Sequence, residues 1–286
     1  MLQNRATLKQ IRFHLLSELR QIYTENESDS IVRLIMEHVG YPLNISLSDP
    51  DKIPDPPVAT QINEMLADIR SGQPIQYILG YTYFCDLKIE VDKRVLIPRP
   101  ETEEMVEHIK ARDTSTVHRI IDLGTGSGCI ALALKQYIPD AEVWGVDLSR
   151  EALSVAAENS SLNKLKVNWA RMDLLNHQSK KLTETFDLVV SNPPYVLNRE
   201  ANIMERHITD FEPSSALFVP DDDPLRYYRA IASFCNMHLA DKGEIWVEIN
   251  EQFGNETVRV FEKEGFSVIQ ILNDIHDKER YIHARR

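Results

Sequence analysis

Asn192-Pro193-Pro194-Tyr195 carries the residue types in this chain best suited to chemistry. The apolar run Phe186-Asp187-Leu188-Val189-Val190-Ser191 precedes it and reads as a buried parallel strand. Two successive prolines make the next turn stiff and poor in donors. Such a turn can aim the Asn192 side-chain oxygen and the Pro193 carbonyl at a planar NH2 group, each accepting one N–H. An amide nitrogen is a poor nucleophile because its lone pair is delocalised. Held in line with a methyl sulfonium, it would gain rate through orientation and electrostatics. The leaving group would be a neutral thioether, so no strong base is needed beforehand. Tyr195 could stack on the planar group. A plain tight turn after a strand is the other reading of these four residues.

Upstream, a second buried strand runs into Asp122-Leu123-Gly124-Thr125-Gly126-Ser127-Gly128. Gly124, Gly126 and Gly128 allow a tight turn and close approach of backbone to a ligand. With Thr125 and Ser127 they form a candidate cofactor-binding turn, spaced Gly-x-Gly-x-Gly and so unlike the dinucleotide Gly-x-Gly-x-x-Gly. Asp147 ends the next strand about 20 residues on, where a carboxylate can accept from ribose hydroxyls. It could equally be an acid at the start of a helix. Asp173 after the third strand could accept from an adenine amino group, with Leu174 packed on the ring; a surface acid is the alternative. Arg99, Glu101 and Glu103 either line a cofactor mouth or build a salt-bridged helix start, with Pro100 suited to the first turn. Nine histidines show no metal spacing. Cys129 has no evident His partner, and Asp221-Asp222-Asp223 reads as a solvated loop, so no metal site is expected.

The elements that must position these residues follow from periodicity. Leu8, Ile11, Leu15, Leu16 and Leu19 fall at helical spacing, as do Ile31, Leu34, Ile35 and Val39. Gly40 and Pro42 stop the second helix. The segment from Ser46 to Pro57 reads as a proline-rich loop. A further helix places Ile62, Met65, Leu66 and Ile69 on one face. Tyr81–Phe84 and Leu87–Val91 suggest a hairpin around Cys85-Asp86. From Arg99 helices alternate with strands at Arg119–Leu123, Glu142–Asp147, Lys166–Ala170, Leu188–Ser191, Glu244–Ile249, Ser267–Leu272 and Arg280–Ala284. That alternation predicts a doubly wound α/β sheet. The expected division is a helical N-terminal domain over 1–74, a hairpin linker over 75–98 and the α/β domain over 99–286. The helical domain could cap the larger one or grip a partner protein.

With 43% apolar and 27% charged residues, the 286-residue chain has a globular composition. No apolar run reaches membrane-spanning length, and Met1-Leu2-Gln3-Asn4-Arg5 lacks a secretory core. Three well-separated cysteines suggest no disulfide framework, and a cytoplasmic location is expected. A net charge of −12 disfavours a chain whose main task is gripping a phosphate backbone.

The chain resembles the protein-glutamine methyltransferases that modify bacterial peptide-chain release factors. Gly72-Gln73-Pro74, Val95 through Glu103, Asp122 to Gly128, Asn192 to Tyr195, Glu212-Pro213 and Ala216-Leu217 carry the resemblance. The Asn192 tetrapeptide is shared with adenine methyltransferases of nucleic acid. Arg99-Pro100-Glu101-Thr102-Glu103 is more discriminating, also against the related enzyme for a ribosomal-protein glutamine. The resemblance implies a Rossmann-like class I methyltransferase sheet, with S-adenosyl-L-methionine as donor. It implies the glutamine of the Gly-Gly-Gln loop of class 1 release factors as acceptor. By motif, Gly124 to Gly128, Asp147 and Asn192 would contact the donor, and Asn192 to Tyr195 the glutamine. Departures are Asp221-Asp222-Asp223-Pro224 in place of a glycine-containing stretch, Asn250 where glycine is common, and Cys85 where tryptophan is frequent. A nucleic-acid adenine methyltransferase and a non-catalytic binding protein of the same fold are the competing readings.

Overall fold

The computed structural model of the chain describes residues 2, 5–179 and 183–286. Met1, Gln3 and Asn4, part of the N-terminal stretch read above, lie outside them. Contacts divide the chain into two compact units, Met1–Gly80 and Tyr81–Arg286.

The first unit is helical. Helix α1 (Leu8–Leu19) and α2 (Glu25–His38) each begin with a reciprocal capping box, Thr7 with Gln10 and Thr24 with Glu27. These boxes satisfy backbone N–H groups that a helix start leaves open. Leu8, Ile11, Leu15 and Leu19 are fully buried, the face that the spacing predicts. The expected loop over Ser46–Pro57 is in part helical. Helix α3 (Leu43–Ser48) covers its first three residues, and α4 (Pro56–Arg70) begins on its last two, with proline in the first turn. There proline's missing N–H costs nothing and its fixed φ suits the helix. A short helix, α5 (Ile75–Leu79), ends at Gly80 with φ +79°; five residues are too few for a periodic signal.

The second unit opens with the hairpin β1 (Tyr81–Phe84) and β2 (Leu87–Glu90). Its two turn residues, Cys85 and Asp86, both have positive φ, the geometry that matches strand twist in two-residue loops. Helix α6 (Pro100–Lys110) leads into β3 (Arg119–Leu123), α7 (Cys129–Tyr137), β4 (Glu142–Asp147), α8 (Arg150–Asn163) and β5 (Asn168–Arg171). After β6 (Phe186–Ser191) comes an excursion of β7 (Val196–Leu197), α9 (Arg206–Thr209), α10 (Ser214–Leu217) and β8 (Phe218–Val219). Then α11 (Arg226–His238), β9 (Leu239–Glu248), α12 (Gly254–Lys263), β10 (Val268–Asn273) and β11 (Glu279–Arg285) complete the chain.

Seven strands form one sheet in the order β10-β11-β9-β6-β3-β4-β5. The five from β9 to β5 run parallel, and β11 pairs antiparallel with both β9 and β10. The doubly wound expectation holds, with this antiparallel pair as its edge. Strands β3 and β4 match their expected bounds, whereas β5 starts two residues later than expected and β9 five residues earlier. The chain winds from β3 to β5 on one side, then returns to β6 on the other. The strand order therefore reverses between β3 and β6, the place where open α/β sheets bind ligands. The core beneath is apolar, with Ile121, Leu123, Val189, Phe234, Ile245 and Phe261 fully buried.

Candidate active site

The parallel pairing sets the ends of β5, β4, β3 and β6 side by side. At strand spacings of about 4.8 Å, four neighbouring ends span roughly 14 Å of one sheet edge. Along that edge lie Asp173-Leu174, Asp147, the glycine turn and Asn192 to Tyr195. Residues scattered over the sequence thus share one rim.

The glycine turn bends back onto β4, with the N–H groups of Gly124 and Thr125 both donating to the Val146 carbonyl at 2.9 Å. Gly124, Gly126 and Gly128 all have positive φ, which side chains rarely tolerate. A Cβ at Gly128 would also meet Trp169 at 2.8 Å and Ala156 at 3.1 Å. Gly128→Ala should therefore lower stability by about 1–3 kcal/mol and weaken donor binding, read by thermal melting and by titration calorimetry. Asp147 holds the turn closed: one carboxylate oxygen accepts from the Gly126 N–H and the other from the Ser149 N–H, both at 2.9 Å. A carboxylate has about four acceptor positions, so Asp147 retains capacity for ligand hydroxyls. Burial raises its pKa, opposed by the backbone N–H groups.

Asp122 lies fully buried at the end of β3. Its Oδ2 accepts from the Thr125 hydroxyl at 2.6 Å, while Oδ1 has no hydrogen-bond partner. Burial pushes its pKa up to about 7; the Thr125 hydroxyl and the nearby Ala131 N–H favour the charged form, and Asp147 adds a smaller push upward. A buried unpartnered carboxylate oxygen is costly. Asp173 accepts from the Leu175 N–H at 3.0 Å, and Leu174 packs partly against the core. Tyr227 on α11 lies close enough to Asp173 and Asp147 for their charges to act on its hydroxyl.

Across the strand-order reversal, the Ser191 hydroxyl donates to the Leu123 carbonyl at 2.6 Å and ties β6 to β3. Asn192 donates from Nδ2 to the Thr102 hydroxyl at 2.8 Å. Thr102 donates in turn to Glu248 Oε2 at 2.7 Å, and Tyr195 donates to Glu248 Oε1 at 2.8 Å. Glu248 is almost fully buried; burial raises its pKa, against the Thr102 and Tyr195 hydrogen bonds and the charge of Arg280. The Asn192 Oδ1 atom accepts nothing from the described residues. Tyr195 has its hydroxyl anchored to Glu248 and part of its ring against the core, which fixes the position of the ring.

These braces escape sequence reading. Asn250 donates to the Tyr195 carbonyl at 3.2 Å, so the departure from glycine there supports the tetrapeptide. Asn159 on α8 donates to the carbonyls of Ser127 and Glu90, both at 3.0 Å, joining the glycine turn to the hairpin. Arg99 pairs with Glu212 at 2.6 Å, and the other Glu212 oxygen accepts from the Ile97 N–H at 3.1 Å. Glu103 accepts from the Cys85 N–H at 2.7 Å, and the Glu101 carbonyl accepts from the Tyr281 hydroxyl at 2.7 Å. Arg99 thus braces the loop that follows the tetrapeptide, while Glu103 and Glu101 tie the same helix start to the hairpin and to β11. Glu212→Ala should cost about 2–4 kcal/mol, because the Glu212 carboxylate is buried and both donors lose their acceptor; urea denaturation checks this. Asp223 pairs with Arg229 at 2.5 Å on the surface, and no metal-binding cluster occurs among the described residues.

The chain is 37% identical to a release factor glutamine methyltransferase of Flavobacterium psychrophilum, over 96% of this chain and 98% of that protein. It belongs to the release factor glutamine methyltransferase family. A relative of the same name in Bacteroides thetaiotaomicron is 39% identical over 79% of this chain and 81% of its own length. The methyltransferase small domain family model matches residues 100–212. That span includes the glycine turn, Asp147, Asp173 and the whole tetrapeptide. Among solved structures, the delta-N METTL16 MTase domain superposes with a TM-score of 0.52 at 16% identity, covering 76% of this chain and 96% of that one. That likeness bears on the fold alone. In the family's terms, the resemblance drawn from Arg99–Glu103 and Asn192–Tyr195 is confirmed, and the fold is the class I methyltransferase sheet it implied. Among the described residues, no helix is long and apolar enough to cross a membrane.

Proposed function

We propose that this family member transfers a methyl group from S-adenosyl-L-methionine to the side-chain amide nitrogen of the glutamine in the Gly-Gly-Gln loop of class 1 release factors. The observation that carries the reading is the Asn192 carboxamide: its nitrogen is spent on Thr102 and its oxygen is left to accept. It stands beside the glycine turn, on the neighbouring strand end. The family membership points to the same acceptor.

The residues present fit the donor. Asp122, buried under the glycine turn, acts on its ammonium group through charge, Asp147 suits its ribose hydroxyls, and the positive-φ glycines admit it close to backbone. Asp173 and Leu174 are assigned to its adenine. When bound, it supplies an electrophilic methyl on a sulfonium. The chain's own part is positional. Asn192 Oδ1 and the Pro193 carbonyl each accept one N–H of the glutamine amide, which raises electron density on nitrogen and aims its lone pair. Pro193 and Pro194 keep this frame stiff, because a locked φ leaves little freedom to lose. Tyr195 shapes the acceptor slot from its anchored position. Methyl transfer would form a C–N bond as the S–CH3 bond breaks, leaving a neutral thioether, and one amide proton would pass to water. The absence of a direct grip on nucleic acid in this reading agrees with the net charge of −12.

Labelled donor incubated with purified release factor tests the reading, with a DNA oligonucleotide alongside. Label on release factor and none on DNA is expected; label on DNA alone would replace it with an adenine methyltransferase.

A further inference from the structure

We propose that Thr102 and Glu248 form a positioning relay that sets which end of the Asn192 carboxamide faces the acceptor. The inference rests on the proposed function, because only an amide or amino acceptor needs an oxygen there. A carboxamide has two ends of nearly equal size and opposite hydrogen-bonding sense. Packing alone does not choose between them; a fixed donor or acceptor does. Thr102 is buried on α6 and Glu248 is buried at the end of β9. Both Glu248 oxygens receive a hydroxyl, from Thr102 at 2.7 Å and from Tyr195 at 2.8 Å. As a carboxylate, Glu248 can only accept, so the Thr102 proton points at it. The Thr102 oxygen is then left as an acceptor and takes the Asn192 Nδ2–H at 2.8 Å. Each bond fixes the sense of the next, and Oδ1 is delivered outward.

Glu248 also anchors the far side of the same tetrapeptide through Tyr195. Its buried charge thereby organises both ends of Asn192-Pro193-Pro194-Tyr195 from a strand two places along the sheet from the one that leads into the glycine turn. An acid at this depth is expensive, and in this arrangement it gives the Asn192 amide a single orientation. Thr102 and Glu248 touch neither donor nor acceptor in this scheme; they act through Asn192.

The test combines turnover with a signal from the free protein. Thr102→Val keeps the branched shape and removes the hydroxyl. It should lower kcat on release factor about 10- to 100-fold, the worth of one charge-assisted hydrogen bond. KM for the donor should stay within about twofold, since a donor-binding group is not removed. Thr102→Ser should restore kcat to within about threefold, and Glu248→Gln should be slow like the valine variant. In the free protein, the Asn192 side-chain NH2 resonance, assigned by its loss in Asn192→Ala, should shift and exchange faster in Thr102→Val. Full kcat in Thr102→Val, or equal loss in the valine and serine variants, would overturn the relay. A wild-type chain inactive on release factor would sink the functional reading alone. The Asn192 resonance then decides the relay: unchanged in Thr102→Val, it overturns it.

Discussion

Asn192→Ala is expected to leave a folded protein that binds S-adenosyl-L-methionine nearly as wild type does and transfers almost no methyl. The side chain is partly exposed at the rim, and among the described residues it bonds only Thr102. Its loss therefore removes little packing. What disappears is an oriented acceptor aimed at the reacting amide. Removing one preorganised hydrogen-bonding group from a reaction centre costs about 10²–10³ in kcat, and loss of alignment adds to that. Asn192→Asp keeps an acceptor and the shape but brings a charge next to buried Glu248; it should recover only part of the rate. Single-turnover transfer at saturating donor, with calorimetric binding in parallel, checks the split. An alanine variant with normal turnover would remove Asn192 from the chemistry.

Asp122→Asn is expected to act with opposite signs on stability and binding. The folded-state pKa of Asp122 is raised to about 7 by burial, above its ordinary value of about 3.8. A carboxyl raised in this way stabilises the fold fully below its unfolded pKa, and that stability is lost as pH rises through the folded value. Asparagine is permanently neutral and escapes the loss. The variant should gain in melting temperature relative to wild type, by more at about pH 8 than at about pH 5. Donor binding should move the other way. A cationic ammonium favours the ionised carboxylate, so wild-type affinity should rise as pH passes upward through about 7. In Asp122→Asn that rise should vanish and the affinity at about pH 8 should fall about tenfold or more. Melting curves and calorimetric titrations at the two pH values measure both. A variant less stable than wild type at the higher pH would show that Asp122 is held charged by the fold itself.

Much of this site is legible in the sequence because its parts are local. The Asn192 tetrapeptide and the glycine turn are contiguous, and each follows an apolar run that can only be a buried strand. Strands β3 and β4 keep their expected bounds for the same reason. The boundary at β5 is less visible, since Lys166-Val167-Asn168-Trp169 mixes apolar and polar residues and the strand closes the sheet's edge. The braces are hidden for a different reason. Thr102, Asn192 and Glu248 lie 90 and 146 residues apart across their two hydrogen bonds, so no local pattern links them. Glu248 did leave a trace: an acid between Ile245-Trp246-Val247 and Ile249 interrupts an apolar strand, and a charge there requires partners. Asp122 left the same trace after Ile120-Ile121. The anchor on Tyr195 is hidden in the same way, since its hydroxyl partner Glu248 lies 53 residues further along the chain.

The most direct test of the central claim is peptide mass spectrometry of class 1 release factor after incubation with this protein and S-adenosyl-L-methionine. One added methyl on the side-chain nitrogen of the Gly-Gly-Gln glutamine is the predicted result, absent when that glutamine is alanine and absent with Asn192→Ala. An unmodified glutamine, or a methyl placed on any other residue, would contradict it.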